Sequence, residues 1–530
     1  MTKDAETRDW LAEAKAWIGE DPDPITRQEL QALLDTNDLN EVRERFASRL
    51  AFGTAGIRGT IGAGPGRMNR ALVRRVTAGL ANYLLAVAPD CRKQGVVVAR
   101  DARHMSREFA DDTASVLVGA GIPVHEFADP VPTPVCAFAV TALGASAGVM
   151  ITASHNPPAD NGYKVYWENG AQIVPPHDQG ISHAVDAVNA LGSIAMMDTE
   201  QARKHSLLTF VPDHITEKYF DAILALRKHP EAVPKTDPRI VYTPLHGVGG
   251  WWVKEAFARA RISGLRIVPE QAEPDPDFPT VRFPNPEEPG AMDLALAQAR
   301  RANADLVLAN DPDADRLAVA MRDEDGGYVQ LSGNELGLLL AHYLLTENPP
   351  AGKKVVMTTV VSTSLLRRMA EGFGTEYAET LTGFKWIANK AIELKPKGIT
   401  FVIGFEEALG YTAGEVVRDK DGVSTALLTA DMALYLKSQG KDLLDQLEHI
   451  YRRFGLAVSA QKSAVLPGSE GIAKMREITA RLRDRPPAEM AGKSVLVRTD
   501  LQNGTRWERD GGGLKKMDLP PSDVLIFELE

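Results

Sequence analysis

At 530 residues the chain exceeds what one hydrophobic core supports, and length alone predicts about three or four domains. Its 44% hydrophobic and 25% charged content is that of an ordinary globular protein, and a formal charge of −11 without a long Lys/Arg run excludes a nucleic-acid partner. Cys91 and Cys136 are the only cysteines, too few for a disulfide framework or a zinc site, which fits a reducing compartment.

The N-terminus, MTKDAETRDW, is charged and carries no apolar export segment, and no run approaches membrane-spanning length. The expected location is cytoplasmic, with no membrane partner. Residues 1–50 read as helical, with Trp10, Leu11, Ala14, Trp17 and Ile18 spaced to share one face that packs on the first domain. Residues 51–60, AFGTAGIRGT, form a Gly-rich segment with one cation, Arg58; such a loop lets backbone approach an anion closely. A β-branched strand over 95–100 ends in Asp101-Ala102-Arg103, and a helix follows over 106–121. This alternation predicts βαβ units and mainly parallel sheets.

The apolar run 148–151 predicts a buried strand, and it enters the stretch ITASHNPPADNGYKVY over 151–166. Ser154 is therefore expected at the exposed tip of a strand, where α/β folds bind ligands. Ser154, His155, Asn156 and Lys164 would converge there. Taken alone, Ser-His-Asn-Pro also reads as an ordinary turn whose small polar side chains satisfy the backbone.

A second unit holds a strand over 240–243, a loop over 244–250 and a helix over 252–260. The apolar run 306–309 leads into Asn310-Asp311-Pro312-Asp313-Ala314-Asp315-Arg316, and a strand resumes over 317–320. Carboxylates this dense repel one another unless a cation joins them. In an extended loop alternate residues point the same way, so Asp311, Asp313 and Asp315 can meet one ion. An EF-hand loop requires Gly at its sixth position, where Arg316 stands; a solvated acidic turn is the other alternative. Magnesium suits best, since it takes a few carboxylates together with a phosphate oxygen.

The third unit has strands over 354–360 and 400–403, each followed by a polar loop: 379–386, ETLTGFKW, and 404–411, GFEEALGY. Read from residue type alone, Glu406 and Glu407 are a candidate acid and base. The last segment, 446–530, reads as helices followed by strands over 494–498 and 523–529.

In this order the loops resemble those of the α-D-phosphohexomutase superfamily, the phosphoglucomutases and phosphomannomutases. The resemblance implies that Ser154 carries a phosphoryl group. It implies that Arg58 faces the reacting phosphate, in an element where Ala55 replaces the usual Ser. Asp311, Asp313, Asp315 and Arg316 match Asp-Gly-Asp-Gly-Asp-Arg, with Pro312 and Ala314 at the intervening positions; that loop binds magnesium together with the phosphoserine. Thr382, Gly383 and Lys385 resemble the family's Thr-Gly-Trp-Lys loop, and Lys420 its Lys-Asp-Gly element. The loop around Glu406 resembles Gly-Glu-Glu-Ser-Phe-Gly, whose first Glu holds sugar hydroxyls; Ala408 removes one hydroxyl from that expected site.

The implied fold is three similar mixed α/β domains with mainly parallel sheets around a central cleft, over 1–208, 209–323 and 324–445, plus a smaller α+β C-terminal domain over 446–530. The family's distal-phosphate loop, Arg-x-Ser-Gly-Thr-Glu-Pro, has no copy up to Glu530, so the last domain is expected to be truncated. The implied function is conversion of glucose 1-phosphate to glucose 6-phosphate. It would run through a bisphosphate, with glucose 1,6-bisphosphate as activator, Arg58 and Lys164 stabilising charge and moving protons, and His155 supporting the loop. Mannose and pentose phosphates are the nearest alternative substrates for this monomer or homodimer. A phosphosugar-binding protein without mutase activity and a magnesium-dependent phosphatase are the rivals of another class.

Overall fold

Three sheets repeat one device, in which parallel strands with apolar faces lead into an antiparallel hairpin; in the first two sheets one further antiparallel strand, Ile57–Thr60 or Tyr328–Leu331, extends the edge. The computed structural model describes residues 9–53, 56–188, 190–231, 238–462, 464, 466, 468–509, 513–517 and 519–530, apart from the side chains of 468–470 and 472. Thr54 and Ala55, where the sequence departs from the family's Ser, lie outside the described residues, as do the first eight of the expected helical segment.

In the first sheet Val96–Arg100 runs parallel to Val124–Glu126 and Ala147–Ile151, and Ala147–Ile151 turns back antiparallel into Asp160–Trp167. In the second, Ile240–Thr243 is parallel to Leu306–Ala309, which is antiparallel to Ala318–Arg322. In the third, Lys354–Thr359 is parallel to Thr400–Glu406, which is antiparallel to Gly410–Ala413. The central strands are buried along their whole length, which is why they read as unbroken apolar runs. Each hairpin places one polar loop at a carboxyl end of its sheet: 152–159, 310–317 and 407–409. The fold is mixed α/β with mainly parallel sheets, as the sequence predicts.

The three units share one core. Tyr166, Tyr219, Tyr242, Trp252, Leu308 and Phe405 belong to a single apolar cluster that passes from sheet to sheet, while Leu80, Val98, Phe109 and Val149 fill the other side of the first sheet. Burial of this continuity disfavours independent movement of the units.

Three helices, Trp10–Glu20, Pro24–Asp35 and Leu39–Ala47, precede the first sheet, each started by an aspartate cap: Asp9, Asp23 and Asp38. They close over a small core of Ala14, Leu30, Val42, Phe46 and Ala63. Leu11, expected on the packed face, is 38% exposed. The C-terminal part has the helix Gly468–Asp484 and an antiparallel sheet. The two expected strands are present as Lys493–Asp500 and Leu525–Leu529, which pair antiparallel, and Glu489–Met490, Thr505–Glu508 and Gly513–Lys516 add strands. The added strands are short and exposed or half-buried, so they carry no apolar alternation to read. Among the described residues no helix is long and apolar enough to cross a membrane.

Candidate active site

The first hairpin loop is held by one guanidinium. Arg103 Nη2 donates to Ser154 O at 2.7 Å and Asn156 O at 2.6 Å, and Nη1 donates to Pro157 O at 2.8 Å and Asp160 O at 3.2 Å. Its position is fixed in turn by Asp101, 3.4 Å from Nε, and by the Phe278 ring, 5.0 Å from the guanidinium carbon. The rigid fork of Arg can bridge several carbonyls, which a Lys point charge cannot reproduce. Held this way, Ser154 takes φ +55°, a left-handed conformation uncommon outside glycine and a frequent mark of functional sites.

Ser154 is buried rather than exposed, because the second unit covers it: its Oγ donates to Asp311 Oδ2 at 2.8 Å. Residues 311–315 are not extended. Ala314 N donates to Asp311 O at 2.9 Å and Ala314 has φ +51°, so a turn, not strand alternation, brings the carboxylates of Asp311, Asp313 and Asp315 within 4.8 Å of one another. Gly247 permits the turn to pack, since a Cβ there would lie 2.3 Å from Pro312 Cα.

Lys164 crosses from the first sheet into this cluster, 2.8 Å from Asp313 Oδ2 and 3.1 Å from Asp315 Oδ2. Thr133 reaches Asp313 from the start of the helix Thr133–Leu143: its Oγ1 donates to Oδ2 at 2.6 Å and its N to the carbonyl at 2.9 Å. The positive end of that helix dipole therefore also faces Asp313. Burial opposes charge on Asp313, but Lys164, Asp311 and Thr133 outweigh it and hold its carboxyl well below the usual range. Asp311 moves the other way: burial, then repulsion from Asp313 and Asp315, push it well up. Burial also opposes charge on Lys164, and Asp313 and Asp315 overturn that and keep it an ammonium.

Asp313 Oδ1 and Asp315 Oδ1 are buried with no hydrogen-bond partner among the described residues. Unsatisfied carboxylate oxygens within one acid cluster suit a hard divalent cation. Arg58 lies on Ile57–Thr60 opposite Gly162, with its Nε buried and without a hydrogen-bond partner among the described residues. Burial, followed by the charges of Arg316 and Arg58, lowers His155 to about 2, so its imidazole is neutral; Nδ1 stands 3.3 Å from Ser154 Oγ. Asn156 does not join the group, because its Nδ2 donates to Asp160 Oδ2 at 2.9 Å.

The third unit closes the site. Arg316 Nη1 donates to Ala408 O at 3.0 Å and Leu317 N to Leu409 O at 3.1 Å, so the second loop lies along the third. Lys420 Nζ is 3.1 Å from Asp315 Oδ2. Glu406 is buried and accepts from Gly383 N at 2.7 Å; burial raises its carboxyl, against the pull of Lys420 and of that N–H. Glu407 is not its acid–base partner, since Glu407 Oε2 accepts from Ser362 Oγ at 2.6 Å. Lys385 is buried beside Trp386, and burial lowers it to about 8 against the pull of Asp178 and Glu406. Thr382 is exposed at the edge of this group.

Ser154, His155, Lys164, Arg58, Asp311, Asp313, Asp315, Arg316, Glu406, Gly383, Lys385 and Lys420 thus gather around one place, and Asn156 does not. Arg103 and Thr133 are parts of the arrangement that no local motif marks. The arrangement combines a buried hydroxyl, a metal-competent acid cluster and an array of cations, a set of groups suited to phosphoryl transfer.

Residues 49–191, 217–326 and 332–454 match, in that order, the alpha/beta/alpha domains I, II and III of phosphoglucomutase/phosphomannomutase. The chain is 40% identical over 479 residues to a phosphopentomutase of Homo sapiens, covering 88% of this chain and 78% of the relative. A glucose 1,6-bisphosphate synthase of Homo sapiens is 38% identical over 461 residues, covering 84% of this chain and 73% of the relative. Among solved structures, a putative phosphomannomutase from Thermus Thermophilus superposes with a TM-score of 0.65 at 26% identity, covering 77% of this chain and 85% of that one. The chain belongs to the phosphoglucomutase/phosphomannomutase family of the α-D-phosphohexomutase superfamily. It is an enzyme of the isomerase class, a phosphosugar mutase.

Proposed function

We propose that this mutase moves a phosphoryl group between the 1 and 6 positions of a hexose phosphate, glucose 1-phosphate to glucose 6-phosphate, through phosphorylated Ser154 and a bisphosphate intermediate. The observation that carries this reading is the Ser154 hydroxyl, 2.8 Å from Asp311 in an acid cluster that also holds Lys164. Asp311, Asp313 and Asp315, with the phosphorylated serine, are the residues that would hold magnesium. When bound, magnesium supplies charge neutralisation for the phosphoryl group. Glucose 1,6-bisphosphate is the activator that loads Ser154.

The remaining roles belong to the chain itself. Lys164 and Arg58 stabilise charge on the transferring group and move its protons, while Arg103 and His155 keep the serine loop in place. Arg316, Thr382, Gly383, Lys385 and Lys420 bind the sugar phosphate, and Glu406 holds its hydroxyls. Residues 1–208 carry the nucleophile, 209–323 the metal loop, 324–445 the sugar loops and 446–530 a further domain, in a cytoplasmic monomer or homodimer. Buried, unbridged Cys91 and Cys136 are consistent with that compartment.

A pentose reading, ribose 1-phosphate to ribose 5-phosphate, is favoured by the name of the human phosphopentomutase and by Ala408, which offers one hydroxyl fewer to the sugar. Comparing kcat/KM for glucose 1-phosphate and ribose 1-phosphate, with magnesium and catalytic glucose 1,6-bisphosphate, decides between them. Isomerised product is expected. Release of inorganic phosphate identifies a phosphatase instead, and binding without product a phosphosugar-binding protein.

Lys385 makes this reading pH-dependent. Its lowered value of about 8 means that the free enzyme loses this cation as pH rises through that region, and with it attraction for a substrate phosphate. We predict that kcat/KM falls above about pH 8 with the titration of one group. In Lys385→Arg that fall should disappear; an unchanged profile in the variant removes Lys385 from substrate binding.

A further inference from the structure

Asp419 lies in no catalytic motif, yet it joins the three units at the site. Its Oδ2 accepts from Tyr166 Oη at 2.7 Å and from Gln172 Nε2 at 2.8 Å, both in the first unit. Its Oδ1 accepts from Lys420 N at 2.8 Å and stands 3.3 Å from Lys420 Nζ. Lys420 then reaches Asp315 of the second unit at 3.1 Å, on the same Oδ2 that Lys164 approaches at 3.1 Å. Tyr166 and Lys164 lie on one strand, so Tyr166, Asp419, Lys420, Asp315 and Lys164 close a ring through all three units.

The neighbouring acid is fixed independently. Asp421 caps the helix Gly422–Ser438 and accepts from Tyr219 Oη at 3.0 Å, so the segment is pinned on both sides of Lys420. The aliphatic stem of Lys420 fills the space beside Gly410, where a Cβ would lie 2.3 Å from Lys420 Cδ. With both flanking acids tethered and the stem enclosed, the ammonium is confined between Asp315 and Glu406, the transfer end and the sugar end of the site.

We propose that Asp419 is a positioning residue for phosphoryl transfer: held by Tyr166 and Gln172, it sets Lys420 against the acid cluster once the third unit is seated on the first. This rests on the phosphosugar mutase reading above and adds a residue to it. Burying a carboxylate is costly unless its oxygens are satisfied, and here two donors come from the first unit and two from Lys420, so the carboxylate ties one to the other. A displacement of about 1 Å at a reacting centre costs roughly 100-fold in rate, so loss of the tether belongs in kcat more than in binding.

Asp419→Asn tests this directly. An amide oxygen can still accept from Tyr166 and Gln172, but the amide NH2 meets Lys420 as donor against donor. We expect kcat to fall about 30-fold with KM changed less than about threefold, and phosphorylation of Ser154 by glucose 1,6-bisphosphate, read by intact mass, to slow in parallel. Tyr166→Phe, nearly isosteric, should cost about fivefold alone and nothing further in the Asp419→Asn background. Wild-type kcat in Asp419→Asn, equal relative losses from Tyr166→Phe in both backgrounds, or a loss matching only the unfolded fraction in a thermal melt overturns the proposal. Failure of the wild-type chain to isomerise any phosphosugar would instead remove the reading beneath it.

Discussion

Ser154→Ala is expected to lose turnover by roughly 10⁵-fold or more, the scale seen when a covalent nucleophile is removed. Among the described residues the neighbouring hydroxyls are engaged: Thr152 Oγ1 accepts from Ser154 N at 2.9 Å, and Thr133 Oγ1 donates to Asp313. The fold should survive, because the loop is held through carbonyls by Arg103 and not through the serine side chain. The structural cost is one hydrogen bond to Asp311, about 1 kcal/mol. Ser154→Gly is the control, since glycine adopts φ +55° freely and removes the same hydroxyl. Both variants should fail to gain mass on incubation with glucose 1,6-bisphosphate while still binding it by calorimetry. Turnover retained in either variant would falsify a serine-borne phosphoryl group.

The sequence was legible where one short stretch contained both the chemistry and the strand that presents it. The acid loop is the clearest example: Leu306–Ala309 and Ala318–Arg322 frame it, and dense carboxylates demand a cation wherever they are buried. Its shape was not legible, because the turn depends on Ala314 at φ +51°, a conformation alanine rarely adopts. Burial of Ser154 was hidden for another reason. The cover comes from Asp311, 157 positions further along, and periodicity reports only which face of its own element a residue occupies.

Arg103 and Asp419 show the same limit in polar residues. Arg103 follows a strand, as many surface arginines do, and its acceptors lie 51 to 57 positions away. Asp419 reads as a flank of Lys420, and its partners Tyr166 and Gln172 sit in a different unit. Leu11 errs in the opposite sense: a short amphipathic helix admits more than one packed face, and the small core chose the side of Ala14.

Lys164→Met should produce two losses that separate on adding metal. Lys164 is the buried ammonium between Asp313 and Asp315, and methionine replaces its stem without its charge. Breaking a buried pair by removing one partner costs about 3 kcal/mol, because the carboxylates stay behind. In a chelating buffer the melting temperature should fall by about 3 °C. Millimolar magnesium should return most of that, since a cation bound only by the folded protein stabilises it by mass action. Wild type, whose cluster already holds an ammonium, should gain less. Activity should not return with stability: loss of a proton-transfer and charge-stabilising group is expected to leave kcat about 10³-fold down at saturating magnesium. If magnesium restores neither variant nor wild type, the acid cluster is not a metal site. If it restores stability and activity together, Lys164 serves only as a stand-in for the ion and is not the group that moves the proton.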